Sequence, residues 1–208
     1  LKTKRTAPVT STDEPSDGRA ARSARSRRAI ADAVYELVRA RGAMPSVEEV
    51  AARAGVGERT VFRQFNDLDE LARSVHERLF PEVIALSRGQ EPTGDLAEDV
   101  GALVARRARV FEHIAPFRRA SRGHRERSPF MTDRDAAMAA MMRATIESVL
   151  SPHLSEAQRD LVEIIDVLLS FEAWDRLRTV QKLTAERAES ALRTGALAML
   201  AGAHRPCR

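Results

Sequence analysis

Cysteine is nearly absent: Cys207 is the only one in 208 residues. No intrachain disulfide and no multi-thiolate metal site can form, and a reducing compartment fits that usage. Aromatic residues make up only 4% of the chain. No stretch reaches the roughly 18 uncharged apolar residues that a membrane-spanning helix requires. The basic N-terminal region carries no apolar segment of the secretory-signal kind, so the cytoplasm is the expected location and a membrane is not an expected partner. Period-two alternation, Asn-Gly or Asp-Gly hairpin turns between apolar runs, and internal repeats are all missing, which leaves an all-α fold. The sequence also lacks G-x-S-x-G, a P-loop and H-E-x-x-H. Glu163 and Asp166, the best-spaced carboxylates, are more simply the wet edge of a helix, so an enzyme is not expected. His113, His124 and His153 show no ligand spacing, and neither a metal nor a cofactor is expected.

What is present is 43% hydrophobic and 31% charged residues, with 34 Lys and Arg against 30 Asp and Glu, a net charge of +4. That balance permits a polyanionic partner without requiring one. Residues 1–25 have almost no large apolar side chains and read as a flexible basic arm. The arm ends in a run of arginines with no acid among them: Arg19, Arg22, Arg25, Arg27 and Arg28.

From Ser26 the apolar residues Ile30, Val34, Leu37 and Val38 fall on one helical stripe, closed by Gly42 and Pro45. Ser46-Val47-Glu48-Glu49 is a capping box that opens a second helix near Val47. Gly55-Val56-Gly57 breaks that helix in a tight bend around one buried aliphatic. A third helix follows with Val61, Phe65 and Leu68 expected inward. Two short helices joined by such a turn form a helix-turn-helix, whose second helix enters the DNA major groove. The face opposite Val61 and Phe65 then presents Arg59, Thr60, Arg63 and Gln64. Arg suits guanine, Gln suits adenine, and Thr suits phosphate or a thymine methyl. Helix starts at Ser46 and near Arg25 and Arg28 would face phosphates.

The run Ala54-Gly55-Val56-Gly57-Glu58-Arg59-Thr60-Val61-Phe62-Arg63-Gln64-Phe65-Asn66-Asp67-Leu68-Asp69-Glu70-Leu71 resembles the signature of tetracycline-repressor (TetR) family regulators, A-G-V-S-x-x-T-[LVF]-Y-x-[HY]-F-x-[SDN]-K-[DE]-x-L. The match spans residues 26 to 75, roughly. The chain departs from the pattern at Gly57 for a Ser or Thr cap, Phe62 for Tyr, Gln64 for His and Leu68 for Lys. The resemblance implies about nine helices in three parts: the arm at 1–25, a three-helix DNA-binding head at 26–75, and an effector-binding and dimerisation body at 76–208. It implies Arg25, Arg28, Ser46, Val47, Gly57, Glu58, Arg59, Thr60, Phe62, Arg63 and Gln64 at the DNA. A homodimer on double-stranded operator DNA, more often a repressor than an activator, would be released by a small-molecule effector.

Beyond Asp69 the pattern stays helical, punctuated by Pro81, the Gly89–Gly94 loop, Pro116, the Arg-rich 121–129 stretch, Pro152 and a turn at 179–184. The segment from Ser155 to Arg178 is apolar around too much of its circumference for one buried stripe, so it is expected to be one helix buried on two sides. The last helix offers Ala188, Ala191, Leu192, Gly195, Ala196 and Met199, a small-residue surface that lets helices approach closely; the resemblance implies a two-fold contact there, and a buried core of the single chain is the alternative. Met131, Met138, Met141 and Met142 suit either irregular core filling or an adaptable pocket. The resemblance places an effector cavity among Phe111, His113, Met138, Met142, Phe171 and Trp174, with Leu71 and Val75 coupling it to the head. Eight arginines between positions 106 and 127, against Glu112 and Glu126, are either solvated surface or in part a hold for an anionic effector. A helical interaction protein with a vestigial helix-turn-helix is the other reading.

Overall fold

The computed structural model describes residues 15–203 apart from 66 and 90, so residues 1–14 of the expected arm, and Cys207, lie outside the described residues. Ten α-helices form the described fold, and no strand occurs among the described residues. They are α1 (Pro15–Arg41), α2 (Val47–Ala54), α3 (Glu58–Gln64), α4 (Leu68–Ser87), α5 (Leu96–Ala120), α6 (Arg122–Arg125), α7 (Pro129–Leu150), α8 (Asp160–Leu168), α9 (Phe171–Asp175) and α10 (Ala185–Ala203).

Helix α1 begins at Pro15 rather than near Ser26, so residues 15–25 are helical and not a flexible arm. Ala and Arg are strong helix formers, and tertiary contacts described below anchor the segment. The capping box at Ser46 forms as expected: its hydroxyl accepts from the Glu49 amide and the Glu49 carboxylate accepts from the Ser46 amide. Helix α2 stops at Gly55, which sits in the left-handed region at φ 66° and returns its amide to the carbonyls of Ala51 and Ala52. Only glycine adopts that geometry without strain. Ile30, Val34, Val38, Val50, Val61 and Phe65 then close a small core. Phe117 of α5 completes it, stacked on Tyr35 with ring centroids 5.0 Å apart. The head therefore shares side chains with the body.

Pro81 and Pro116 do not interrupt their helices; α4 and α5 run through them. Each proline removes one intrahelical hydrogen bond, and the packing of both helices against their neighbours outweighs that loss. The opposite holds for the expected helix from Ser155 to Arg178. It is divided into a 3-10 turn at Glu156–Gln158, α8, α9 and a π-turn at Arg176–Val180. Between α8 and α9, Ser170 turns extended and accepts from the Ala173 amide as a new N-cap. The body core gathers Leu103, Val104, Phe111, Ile146, Leu150, Ile165, Trp174 and Leu200 from α5, α7, α8, α9 and α10.

Candidate functional site

Helix α3 leaves the Gly57 bend with Val61 packed inward and Arg59, Phe62 and Arg63 exposed; Thr60 is half-buried beside them. Phe62 is 63% exposed, an unusual position for a large apolar ring. Glu58 is exposed at the start of the helix. The N-terminal turns of α1 lie alongside the end of α3, because Ser23 Oγ donates to Gln64 Oε1 at 3.0 Å and Arg27 Nη1 donates to the Gln64 carbonyl at 3.1 Å. Arg19, Arg25 and Arg28 are exposed on that stretch of α1. Among the described residues, Arg19, Arg25, Arg28, Arg59 and Arg63 make no ion pair. Other arginines of the head are engaged: Arg27 binds Glu70 at 2.7 Å, Arg41 binds Glu49, Arg53 binds Glu36, Arg22 donates to the Gly18 carbonyl and Arg73 stacks over Phe130. Exposed guanidinium groups without ion-pair partners outnumber the one exposed carboxylate of α3, Glu58, and a polyanion can neutralise that excess.

Gln64 is the main correction to the expected DNA-facing set. It is 9% exposed, and its side chain and carbonyl are both engaged by α1. It fastens α1 to α3 and presents nothing outward. Leu68, expected inward, is 51% exposed at the start of α4. Ser46 is exposed with its cap hydrogen bond made, and Val47 packs on the head core.

A cavity of about 360 Å³ lies behind the head, between α1, α4, α5, α6 and α7. Its apolar wall is the α4 stripe Leu71, Val75, Leu79 and Val83, facing Ile114 of α5 and Met138 of α7. The remaining wall carries His76, Phe130, Arg125 and Arg134. His76 lies between Phe80 and Phe130, at 5.2 Å and 5.7 Å between centroids. Burial, and then the charge of Arg134, hold its imidazole below the ordinary histidine range.

Of the residues expected to hold an effector, only Met138 lines this cavity. Phe111 and Trp174 are sealed in the body core, with Phe171 edge-on to Phe111 at 5.7 Å and Met142 packed on the same core. The Trp174 indole donates to Glu112 at 2.9 Å, so its polar atom is satisfied inside the fold. His113 faces Glu82 at 3.0 Å, in a cluster where the Tyr35 hydroxyl also donates to Glu82 at 2.7 Å. Leu71 and Val75, expected to couple the cavity to the head, line it directly; the other α4 residues of its wall, Leu68, Ala72, His76, Leu79, Phe80 and Val83, repeat with them at helical spacing and were legible in the sequence.

Leu71 and Val75 also pack on the head core, so the α4 wall belongs to both compartments. At the start of α4, Asp69 meets His124 of α6 at 2.6 Å. A hydrogen bond from Ser128 and the contact with His124 hold its carboxyl below the usual range. The first turn of α4, the helix that follows α3, is thereby tied to α6 and α7.

The small-residue surface of α10 is divided between two faces. Ala188, Leu192 and Ala196 are buried in the protein's own core, where they pack with α5 and α8. Ala191 and Met199 are exposed and Gly195 half-exposed; a Cβ at Gly195 would meet Leu168 of α8 at 3.4 Å. Helix α8, which packs on α10, carries Ile164 and Val167, 52% and 69% exposed.

No described helix is long and apolar enough to cross a membrane, and no group of three metal-ligating side chains occurs among the described residues. These features define a class: an all-helical chain with a helix-turn-helix head joined to a helical body that holds a cavity. No protein-family model matches the sequence, and no curated protein matches it significantly. The chain is similar to the crystal structure of a transcriptional regulator from Rhodococcus sp. Rha1, with a TM-score of 0.64 and 22% identity over 85% of this chain and 97% of that one. At that identity the likeness speaks for the fold.

Proposed function

We propose that the protein is a homodimeric DNA-binding transcriptional regulator, acting in the cytoplasm as a repressor that a small molecule releases from its operator. The observation that carries this reading is the set of exposed arginines, Arg25, Arg28, Arg59 and Arg63, without ion pairs among the described residues, on adjoining parts of α1 and α3 in a helix-turn-helix head. Arg59, Thr60 and Arg63 meet base edges in the major groove, while Arg25, Arg28, Ser46 and the amides near Gly57 meet phosphates. Phe62 packs against the sugar-phosphate backbone. The exposed apolar residues of α8 and α10 pair two copies about a two-fold axis, which sets the spacing between recognition helices to whole turns of DNA. The cavity shares its α4 wall with the head, so an occupant shifts α4 and changes that spacing. By linkage, operator DNA lowers the occupant's affinity by the same factor.

Selection of duplexes from a random pool tests the reading, and two-fold symmetric sites are expected to enrich. On such a site Arg59→Ala should cost roughly 1–3 kcal/mol and relax the preference at one base position. Gln64→Ala should lower stability while leaving base preference unchanged, since Gln64 holds α1 to α3. A pool that yields no enriched sequence with the intact protein contradicts the proposal and favours a protein partner for the head.

A further inference from the structure

The cavity is apolar along most of α4 and α5 but carries excess positive charge from the end of α5 through α6 to α7. Four arginines line it, Arg118, Arg125, Arg127 and Arg134; the one carboxylate in the lining is Asp135, and Arg118 also pairs with Glu172 at 3.2 Å. Asp135 is already shared: Arg118 approaches it at 3.1 Å and Arg125 at 2.6 Å. Arg125 Nε is shielded from solvent without a hydrogen-bond partner among the described residues. Arg134 has no carboxylate partner among them and stands 5.9 Å from the centre of the Phe130 ring. Both arginines act on His76, the polar ring of the same wall; Glu77, the following residue on α4, is the one acid that opposes them there. A buried donor without an acceptor is costly, and an anion entering an apolar cavity needs cations at its seat.

We propose that the cavity takes a small amphiphilic carboxylate, its apolar body against Leu71, Val75, Leu79 and Ile114 and its carboxylate between Arg125 and Arg134 beside His76. The assignment rests on the reading of this cavity as the effector site and names the chemistry of the effector. A neutral ligand of the same shape fills the apolar part and can offer Arg125 Nε an oxygen acceptor, but brings no negative charge to the arginines. A cationic one faces the arginines directly.

Isothermal titration calorimetry of the full chain with octanoate, octan-1-ol and octylammonium reads this discrimination. Octanoate is expected to bind about tenfold or more tighter than octan-1-ol, and octylammonium not to bind. Arg134→Gln should remove the preference by weakening octanoate about tenfold while leaving octan-1-ol within roughly twofold. Met138→Trp, which fills the cavity, should weaken both ligands and so places them in it. Failure of octanoate to bind, equal affinities for octanoate and octan-1-ol, or an unchanged ratio in Arg134→Gln overturns the assignment. Adding octanoate to the protein on a selected duplex separates the two readings. If calorimetry gives the expected discrimination and DNA affinity does not move, the carboxylate site stands and effector control fails. If the protein binds DNA but does not distinguish the three compounds, the carboxylate assignment alone fails.

Discussion

Val167→Glu should turn the protein from a dimer into a monomer and lower its affinity for a two-fold symmetric duplex by roughly a hundredfold or more, the factor by which two linked recognition helices exceed one. Val167 is the most exposed apolar residue of α8, which also exposes Ile164 and packs on α10, where Ala191 and Met199 are exposed. A carboxylate there has water around it in the lone chain but would be stripped of it between two copies, at a cost of several kcal/mol. The protomer itself should keep its thermal stability, because Val167 contributes little to its core. Leu192→Glu provides the contrast: Leu192 is buried in the protomer's own core, so that change should unfold the chain rather than dissociate a pair. Size-exclusion chromatography with light scattering distinguishes the cases. A Val167→Glu protein that remains dimeric places the interface elsewhere.

Arg107→Leu should destabilise the fold by about 3 kcal/mol, read as a lower urea midpoint at unchanged slope. The Arg107 guanidinium is only 5% exposed and donates at 2.6 Å to two carbonyls, Leu169 through Nη1 and Met142 through Nη2. Leu169 sits at the break between α8 and α9, where the helical ladder stops. Asp166 lies 3.9 Å away, and burial pushes the Arg107 pKa down to about 10, so it remains charged at neutral pH. Leucine restores apolar volume but leaves the Leu169 carbonyl without its charged donor and Asp166 without its cation. Arg107→Lys should recover only part of the loss, since an ammonium on one stem does not span two carbonyls as a planar fork does. An unchanged midpoint in Arg107→Leu would mean that the helix break holds without this clamp.

The head was legible because its signals are local. The capping box at Ser46, the glycine bend at 55–57 and the spacing of Val61 and Phe65 each fix a conformation within a few residues. Gln64 was misplaced because α3 has only seven residues, too few for periodicity to decide which side its last residue faces. Its partners Ser23 and Arg27 lie about forty positions earlier, on a segment whose lack of apolar residues hid its helical nature. Pro81 and Pro116 mislead for a related reason: a proline's local penalty says nothing about the packing that outweighs it. Trp174, Phe111 and Phe171 drew attention as aromatic residues, yet large rings are what a helical body uses to fill its centre. The cavity instead depends on how far α4 stands off from α7, a tertiary distance. On α10, the small residues read as one surface because alanine and glycine suit a protomer core and a dimer contact equally well.

The measurement that bears most directly on DNA binding is the salt dependence of affinity for a selected duplex. If Arg25, Arg28 and their neighbours meet phosphates, the logarithm of affinity should fall linearly with the logarithm of salt concentration, with a slope of about 0.9 for each phosphate contacted. Arg28→Ala should weaken binding to selected and random duplexes alike and reduce that slope by about one. An affinity that hardly changes with salt, or a slope the same in Arg28→Ala as in the intact protein, would contradict the assignment of this face to DNA.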